Sequence, residues 1–431
     1  MRALVLGGGG REHALCWALS RADSVTEVLC APGNAGIAAV ARCLPDVDPT
    51  DVALVRELAV REAVDLVVVG PEAPLMAGIA DTLQVAEVPV FGPTRAAARI
   101  EGSKAFCKDV LVAAGVPTAG YWTGTTVEEA LPALERFSAP YVIKADGLAA
   151  GKGVRICADL AEAEEAVRAA LVEGAFGAAG QRLVVEEYLD GPEVSLFGLA
   201  DGACVRVLSP AQDYKRAQDG DAGLNTGGMG AYSPVPAVSA ATAQDWQRAI
   251  FEPVLAELAG RGLPYAGVLY AGLVLTAEGP RVLEFNARFG DPETQVVLPR
   301  LRSDLGELLL ACATGRLAEQ PPPDFDDRAA VTVVLASGGY PGSYDTGVPI
   351  RGLEAAAAAG DALVFHAGTA IAARGAGAAR GDVVTAGGRV LTVTGLGADL
   401  PAARAAAYAA ADEISFDGLH RRSDIAATPT V

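Results

Sequence analysis

Through its first hundred residues the chain alternates short apolar runs with helical text, and each run ends in a glycine or proline turn. RALVLG (2–7), VTEVLCAPGN (25–34), DLVVVGPE (65–72) and PVFGPT (89–94) are the runs; EHALCWAL, VALVRELAVREAV and MAGIADTLQVAEV lie between them. Apolar runs of that length read as strands buried on both faces, and the text between them has helical spacing. A βαβαβαβ order of this kind predicts a parallel sheet with helices on its faces and ligand loops at the strands' carboxyl ends.

The first of those loops, GGGGREH, places Gly7 and Gly9 between a strand and a helix. The third glycine of a dinucleotide fingerprint would fall at position 12, where Glu12 stands, so the fingerprint is broken. What survives is a helix amino terminus whose N–H groups at Gly9 and Gly10 suit a phosphate, with Arg11 adding a guanidinium. A tight structural turn is the other reading.

Residues 94–115 are helical and carry GSKAFCKDVLVAAG. Residues 121–190 form a compact segment: strand PYVIKADG, glycine loop GLAAGKGV, helix 159–174 and strand RLVVEEYLDG, which ends in acids. Residues 193–208 read as an antiparallel pair. The segment 212–236 holds too many glycines for regular structure and is expected to be a functional loop. A helix (245–261), a strand pair (265–276 and 279–290) and a helix (304–314) follow. The proline-acid stretch QPPPDFDD, 320–327, marks a boundary before a smaller α+β unit of three strands and a helix at 400–413.

The net charge of −19 argues against a nucleic-acid coat or a membrane-surface binder, whose footprint is basic. Mean hydropathy is high because alanine is abundant, and no apolar run reaches the length of a membrane span. The amino terminus lacks the pattern of a secretory signal, and the seven cysteines are scattered without a C-x-x-C pair. A cytoplasmic chain with reduced thiols and no zinc site is the expectation.

Lysine is scarce. Of 34 basic residues only Lys104, Lys108, Lys144, Lys152 and Lys215 are lysines, and asparagine occurs only at 34, 225 and 286. Arginine and lysine are not equivalent where a compact ammonium is required, so the survivors are weighted toward such places. Lys144 ends a strand directly before a loop containing Gly147, Gly151, Lys152 and Gly153. This is no Walker loop, since Gly153 rather than Ser or Thr follows the lysine, yet its N–H groups can face phosphate oxygens. Lys104 follows a glycine turn. Lys108, on the same helix but away from that turn, is expected to tolerate arginine. Glu186 and Glu187 end a strand and Glu193 follows a Gly-Pro turn, places from which carboxylates reach a nucleoside. In LEFN, strand alternation puts Glu284 and Asn286 on one face and Leu283 and Phe285 in the core. Two hard oxygen ligands side by side suit Mg²⁺ shared with nucleotide phosphates. The polar run Arg288 to Gln295, RFGDPETQ, suits substrate binding.

These segments together resemble the ATP-grasp superfamily and, within it, the glycinamide ribonucleotide synthetases. GGGGREHAL, APGNAG, VVVGPEAPL, GSKAF, VIKADGLAAGKGV, NTGGMGAYSP and EFNARFGDPETQ carry the resemblance across nearly the whole chain. RFGDPETQ is its most specific part. The tail departs from the pattern, with Ala426 after Asp424-Ile425 where a glycine is usual.

The resemblance implies an α/β fold in three parts: an amino-terminal parallel-sheet domain (1–103), an ATP-grasp α+β domain (104–320) with a mobile lid (121–190), and a small carboxy-terminal α+β domain (321–431). It implies ligation of glycine to 5-phosphoribosylamine through glycyl phosphate, with ATP and Mg²⁺ or Mn²⁺. Gly9, Gly10, Arg11 and Glu12, with Asn34, Pro71 and Glu72, would hold phosphoribosylamine. Lys104, Lys144, Gly147, Gly151, Lys152, Gly153, Glu186, Glu187 and Glu193 would hold the nucleotide, and Glu284 and Asn286 the metal. Asp213, Lys215, Asn225, Arg288 and Asp291 would bind substrate, Arg288 and the 212–230 loop contributing to the glycine and acyl-phosphate region, with Lys144 and Arg288 catalytic. The partners implied are small molecules, with a transient handoff of phosphoribosylamine from the preceding enzyme. Two rivals are another ATP-grasp ligase and a dehydrogenase-like nucleotide binder; RFGDPETQ opposes the first and the broken fingerprint the second.

Overall fold

The computed structural model describes residues 1–147, 153–175, 177–372 and 379–429. Five strands open the chain: β1 (Arg2–Gly7), β2 (Glu27–Pro32), β3 (Arg42–Cys43), β4 (Leu66–Val69) and β5 (Val90–Phe91). They form a parallel sheet in the order β3-β2-β1-β4-β5. Ala3, Leu4, Val5 and Leu6 are fully buried, as a strand covered by helices on both faces requires. The two residues of β3 are too few for any periodicity to reveal.

Next come β6 (Tyr121–Gly124), β7 (Tyr141–Ala145), β8 (Val154–Cys157) and β9 (Leu183–Glu187), an antiparallel sheet in the order β6-β9-β7-β8. Helices Val127–Leu134 and Leu160–Leu171 cover it, and its apolar residues form a small core separate from the two larger ones.

β10 (Glu193–Asp201) and β11 (Val205–Val207) pair antiparallel, as expected. The segment beyond them is ordered, contrary to the reading of its glycines. It forms β12 (Gln212–Asp213), a hairpin of β13 (Arg216–Gln218) and β14 (Ala222–Asn225), and β15 (Gly230–Ser233). Its glycines sit where the chain turns: Gly220, Gly223 and Gly228 have φ of +66°, +83° and +111°. Gly230 lies in a strand because a Cβ there would stand 2.7 Å from the Thr332 carbonyl oxygen. The helix expected at 245–261 begins earlier, at Ala240, where the Ser239 hydroxyl accepts the Thr242 N–H, and is interrupted by a π-turn at Gln247–Phe251.

β16 (Ala266–Thr276) and β17 (Gly279–Asn286) complete a sheet in the order β11-β10-β16-β17. The last strands are β18 (Ala329–Ala336), β19 (Ala362–His366), β20 (Thr369–Ile371), β21 (Val383–Thr385) and β22 (Arg389–Gly397). Three of them join earlier strands in the order β12-β15-β18-β22-β19, so this sheet crosses the proline-acid stretch at 320–327.

The last strands also meet the first helix, Gly10–Ser20. The His366 N–H donates to His13 Nδ1 (2.8 Å), and Trp17 and Phe365 meet edge-on at 6.0 Å. Burial lowers both imidazoles, His13 to about 3 and His366 to about 4, so this joint is uncharged at neutral pH. Among the described residues no helix is long and apolar enough to cross a membrane.

Candidate active site

The carboxyl end of β1 runs into the glycine turn, and Glu12 folds back beneath it. Its Oε2 accepts the Gly9 N–H (2.7 Å) and its Oε1 pairs with Arg11 Nε (2.5 Å). A Cβ on Gly7 or Gly70 would collide with the Glu12 side chain, so those glycines make room for it. Glu12 thus replaces the missing fingerprint glycine with a built-in cap, and both of its oxygens serve the loop. Arg11 Nη1 donates to the Phe289 carbonyl (3.1 Å), tying the turn to RFGDPETQ. Asn34 is likewise occupied by the fold. Its amide nitrogen donates to the Gly8 and His366 carbonyls and its oxygen accepts the Gly36 and Ile37 N–H groups. Pro71 packs against Gly7 and precedes the short helix that begins at Glu72.

Arg288 lies between Glu72 (3.5 Å) and Glu101 (3.3 Å) and reaches Asn286 Oδ1 at 3.4 Å. For Glu72, burial opposes ionisation but Arg288 and Arg11 outweigh it and hold the carboxyl below its usual range. For Glu101 burial wins over Arg288 and raises it. Glu101 also accepts the Ala287 N–H (2.7 Å), which fixes the backbone between Asn286 and Arg288. No motif pointed to Glu101: it is one acid on a helix of four residues.

The lysines converge. Lys144 Nζ lies 2.9 Å from Glu186 Oε2 and Lys108 Nζ 3.2 Å from the same oxygen. Lys104 donates to the Gly147 carbonyl at 3.3 Å, and Lys215 pairs with Glu193. Glu284, on β17, lies within the electrostatic reach of Lys144, Lys104, Lys215 and Arg288. Burial opposes its ionisation, but these four cations hold its carboxyl below the usual range. It makes no direct side-chain hydrogen bond among the described residues. Asp213, on β12 beside Lys215, goes the other way: burial, with Glu293 and Glu193 nearby, raises it to about 7 against the pull of Lys215.

Glu284 and Asn286 share a face, but a β-bulge breaks the alternation. Gly272 pairs with Glu284 and Leu273 with Val282, so Leu283 is the unpaired extra residue. Val282, not Leu283, joins Phe285 in the core. Among the described residues no group of three or more His, Cys, Asp or Glu could cage a metal. A two-oxygen face of Glu284 and Asn286 therefore fits a cation that takes its remaining ligands from phosphate oxygens and water.

Lys108 overturns its expectation. It is 1% exposed and also donates to Thr118 Oγ1 (2.7 Å) and the Leu283 carbonyl (3.3 Å). The helix Lys104–Ala113 turns it inward. Lys108→Arg would force a wider, planar group into a filled slot, at a cost of about 1–3 kcal/mol. Urea melts of this variant are expected to show that loss; wild-type stability would restore the earlier reading.

Glu187, the last residue of β9, accepts the Gly120 N–H (3.0 Å) and lies 3.5 Å from Arg281, so its side chain turns away from the lysines. Asp291 pairs with Arg389 (3.2 Å) and accepts from Gln295 (2.7 Å). Arg389 also donates to the Gly227 and Asp291 carbonyls; as an isolated arginine opening a strand it carried no sequence signal. Asn225 is exposed on β14. The Gly153 carbonyl accepts the Ala145 N–H across the mouth of the lysine–glycine loop (2.8 Å), while Gly151 and Lys152 lie outside the described residues.

Three family models match in succession: the phosphoribosylglycinamide synthetase N domain over residues 1–101, its ATP-grasp (A) domain over 102–294 and its C domain over 330–428. The chain is 56% identical over 430 residues to a phosphoribosylamine–glycine ligase of Streptomyces coelicolor, covering 99% of each. It is 49% identical over 428 residues to one of Escherichia coli, covering 99% of this chain and 98% of that one. The crystal structure of phosphoribosylamine–glycine ligase from Thermotoga maritima superposes with a TM-score of 0.85 at 34% identity, covering 99% of this chain and all of that one. A biotin carboxylase domain of Hydrogenobacter thermophilus, solved with MgADP, shares the fold at 16% identity, with a TM-score of 0.72 over 97% of this chain and 91% of that one. The chain belongs to the phosphoribosylglycinamide synthetase family.

Proposed function

We propose that this protein joins glycine to 5-phosphoribosylamine with ATP, through glycyl phosphate, in purine biosynthesis. The observation that carries the reading is the gathering of basic groups around β7, β9 and β17: Lys144 and Lys108 on Glu186, Lys104 on the Gly147 carbonyl, Lys215 on Glu193 and Arg288 at Asn286. A carboxylate nucleophile and the γ-phosphate of ATP repel each other, and a fixed set of cations offsets that repulsion where charge develops.

Residues divide the work as follows. Lys104 and Lys144 hold nucleotide phosphates beside the 147–153 loop, and Glu186 and Glu193 orient the nucleoside. Glu284 and Asn286 hold Mg²⁺, or Mn²⁺ in its place, which when bound neutralises phosphate charge. Arg288, Asp213 and Lys215 hold glycine, and Asp291 flanks them. Gly9, Gly10 and Arg11 receive the phosphate of phosphoribosylamine at the first helix. A glycine carboxylate oxygen bonds to the γ-phosphorus and the β–γ bridging bond breaks, releasing ADP. The amine nitrogen then bonds to the glycyl carbonyl carbon, the carbon–oxygen bond to phosphate breaks, and the amine loses a proton. Segment 121–190, with its own core, closes as a lid that keeps water from the acyl phosphate. The working division is 1–103, 104–320 and 321–431, in a cytoplasmic protein that takes phosphoribosylamine by transient handoff.

Glycine with heavy oxygen in its carboxylate tests the chemistry. One labelled oxygen is expected in inorganic phosphate, with ADP as the nucleotide product. Label in AMP, or release of pyrophosphate, would refute the phosphoryl route.

A further inference from the structure

Asp213 and Lys215 flank Tyr214 at the root of the β13–β14 hairpin, and the chain's tail grips that hairpin from its far side. Arg422 is 1% exposed. Its guanidinium makes a two-pronged pair with Asp424 (2.7 Å for each nitrogen), meets Asp221 of the hairpin at 2.9 Å and donates to the Arg216 carbonyl at 3.1 Å. It also lies over the Tyr214 ring, 4.8 Å from the centroid.

The neighbouring tail residues add further ties. The Gly220 N–H donates to Asp424 (2.8 Å), and the Ser423 N–H and hydroxyl donate to Asp219 (2.8 and 2.5 Å). The His420 ring lies 2.7 Å from the Ala217 carbonyl. The Ala426 N–H donates to the Tyr214 hydroxyl (3.0 Å), and Ala426 holds φ at +53° to do so. A left-handed backbone strains an alanine, so the docked tail outweighs that strain. Arg422 holds Asp424 at about 2, and the pair therefore stays charged across the neutral range.

We propose that the tail 420–426 is a clasp and that Arg422 is a positioning residue for the ligase reaction, acting through the hairpin to aim Asp213 and Lys215. The ends of the hairpin are tied to the site strands: the Thr226 N–H donates to the Lys215 carbonyl, and the Tyr214 and Met229 backbones pair with Gly230 and Tyr214. A hairpin free to pivot would shift the Lys215 ammonium relative to Glu193 and Glu284. Misplacement of about 1 Å costs on the order of a hundredfold in rate. The inference rests on the glycine-binding role proposed above for Asp213 and Lys215.

The test compares the full chain with Arg422→Ala, Arg422→Lys, Asp221→Asn and, as a control, Arg248→Ala, which removes an exposed ion pair with Asp245. Glycine-dependent ADP release and amide deuterium exchange over 213–226 are measured on each. Arg422→Ala is expected to lower kcat over KM for glycine by tenfold or more, leave KM for ATP within about twofold, and speed exchange in 213–226 alone. Arg422→Lys should recover part of the loss, since an ammonium satisfies one prong of the pair. Normal glycine kinetics with faster hairpin exchange would overturn the proposal, as would unchanged values for both. Should Arg422→Ala unfold, Asp221→Asn decides, because that aspartate is largely exposed; wild-type behaviour there refutes the clasp. Wild-type protein that releases no ADP with glycine and phosphoribosylamine would sink the ligase assignment instead, and exchange would still report whether the tail holds the hairpin.

Discussion

Lys144→Met is expected to slow ligation by on the order of a hundredfold or more while leaving the fold intact, a loss of at least about 2 kcal/mol. Lys144 is 3% exposed near the end of β7, fixed by Glu186, and its charge helps keep Glu284 ionised. Proximity to Glu186 and Glu284 outweighs burial and raises its pKa, so it carries its charge throughout the working pH range. Methionine keeps the length and loses the charge. Glu186 stays paired with Lys108, so the buried carboxylate is not orphaned and the loss falls on the reaction rather than on stability. Lys144→Arg should be impaired as well, since a planar fork does not fit a slot shaped for an ammonium held at one carboxylate oxygen. Steady-state ADP release with circular dichroism on both variants checks this. Rates near wild type for either would mean that the charge at 144 serves Glu186 alone.

The parallel sheet was legible because covered strands need continuous apolar runs, and RALVLG, EVLCAP and LVVV supply them. The strand that carries Lys144 was legible because its apolar run YVI is contiguous with it in sequence, and β7 spans Tyr141–Ala145. The misreading of Lys108 has a physical cause: its partner Glu186 lies on a strand 78 residues on, and position along a helix says nothing of which side faces a neighbour. Lysine scarcity pointed to the right reading, since the chain kept a lysine there too. Glu12 and Asn34 lie where the sequence placed a ligand loop, yet their oxygens are committed to caps and carbonyl ties that only the fold brings near. Arg389 and Glu101 are single charges in apolar or short elements, with significance only from what they face across the domains. The glycines of 212–236 were mistaken for irregularity because left-handed turns and close strand crossings demand the same residue.

Glu284→Gln is expected to be the other large loss, on the order of a hundredfold to a thousandfold in rate, with more metal needed for half-maximal activity. The substitution keeps volume and one oxygen and removes the negative charge. Glu284 is the only carboxylate on the β17 face shared with Asn286, and the charges of four cations hold it ionised. Lys144, Lys215 and Arg288 already have carboxylate partners in Glu186, Glu193, Glu72 and Glu101, so what a divalent cation would lose there is its own anionic ligand on this face, with the remaining positive charge opposing it. Nucleotide binding separates this from a merely structural role. Without metal, Glu284→Gln should bind ADP as tightly as wild type or tighter, because a negative charge facing the phosphates is gone. With Mg²⁺ present, the gain in ADP affinity that wild type shows should shrink by about tenfold or more. A variant weakened equally with and without metal would have lost its shape, and circular dichroism and melting would show it. A full metal-dependent gain in the variant would mean that Glu284 is a counter-charge for the lysines and that the cation is held elsewhere.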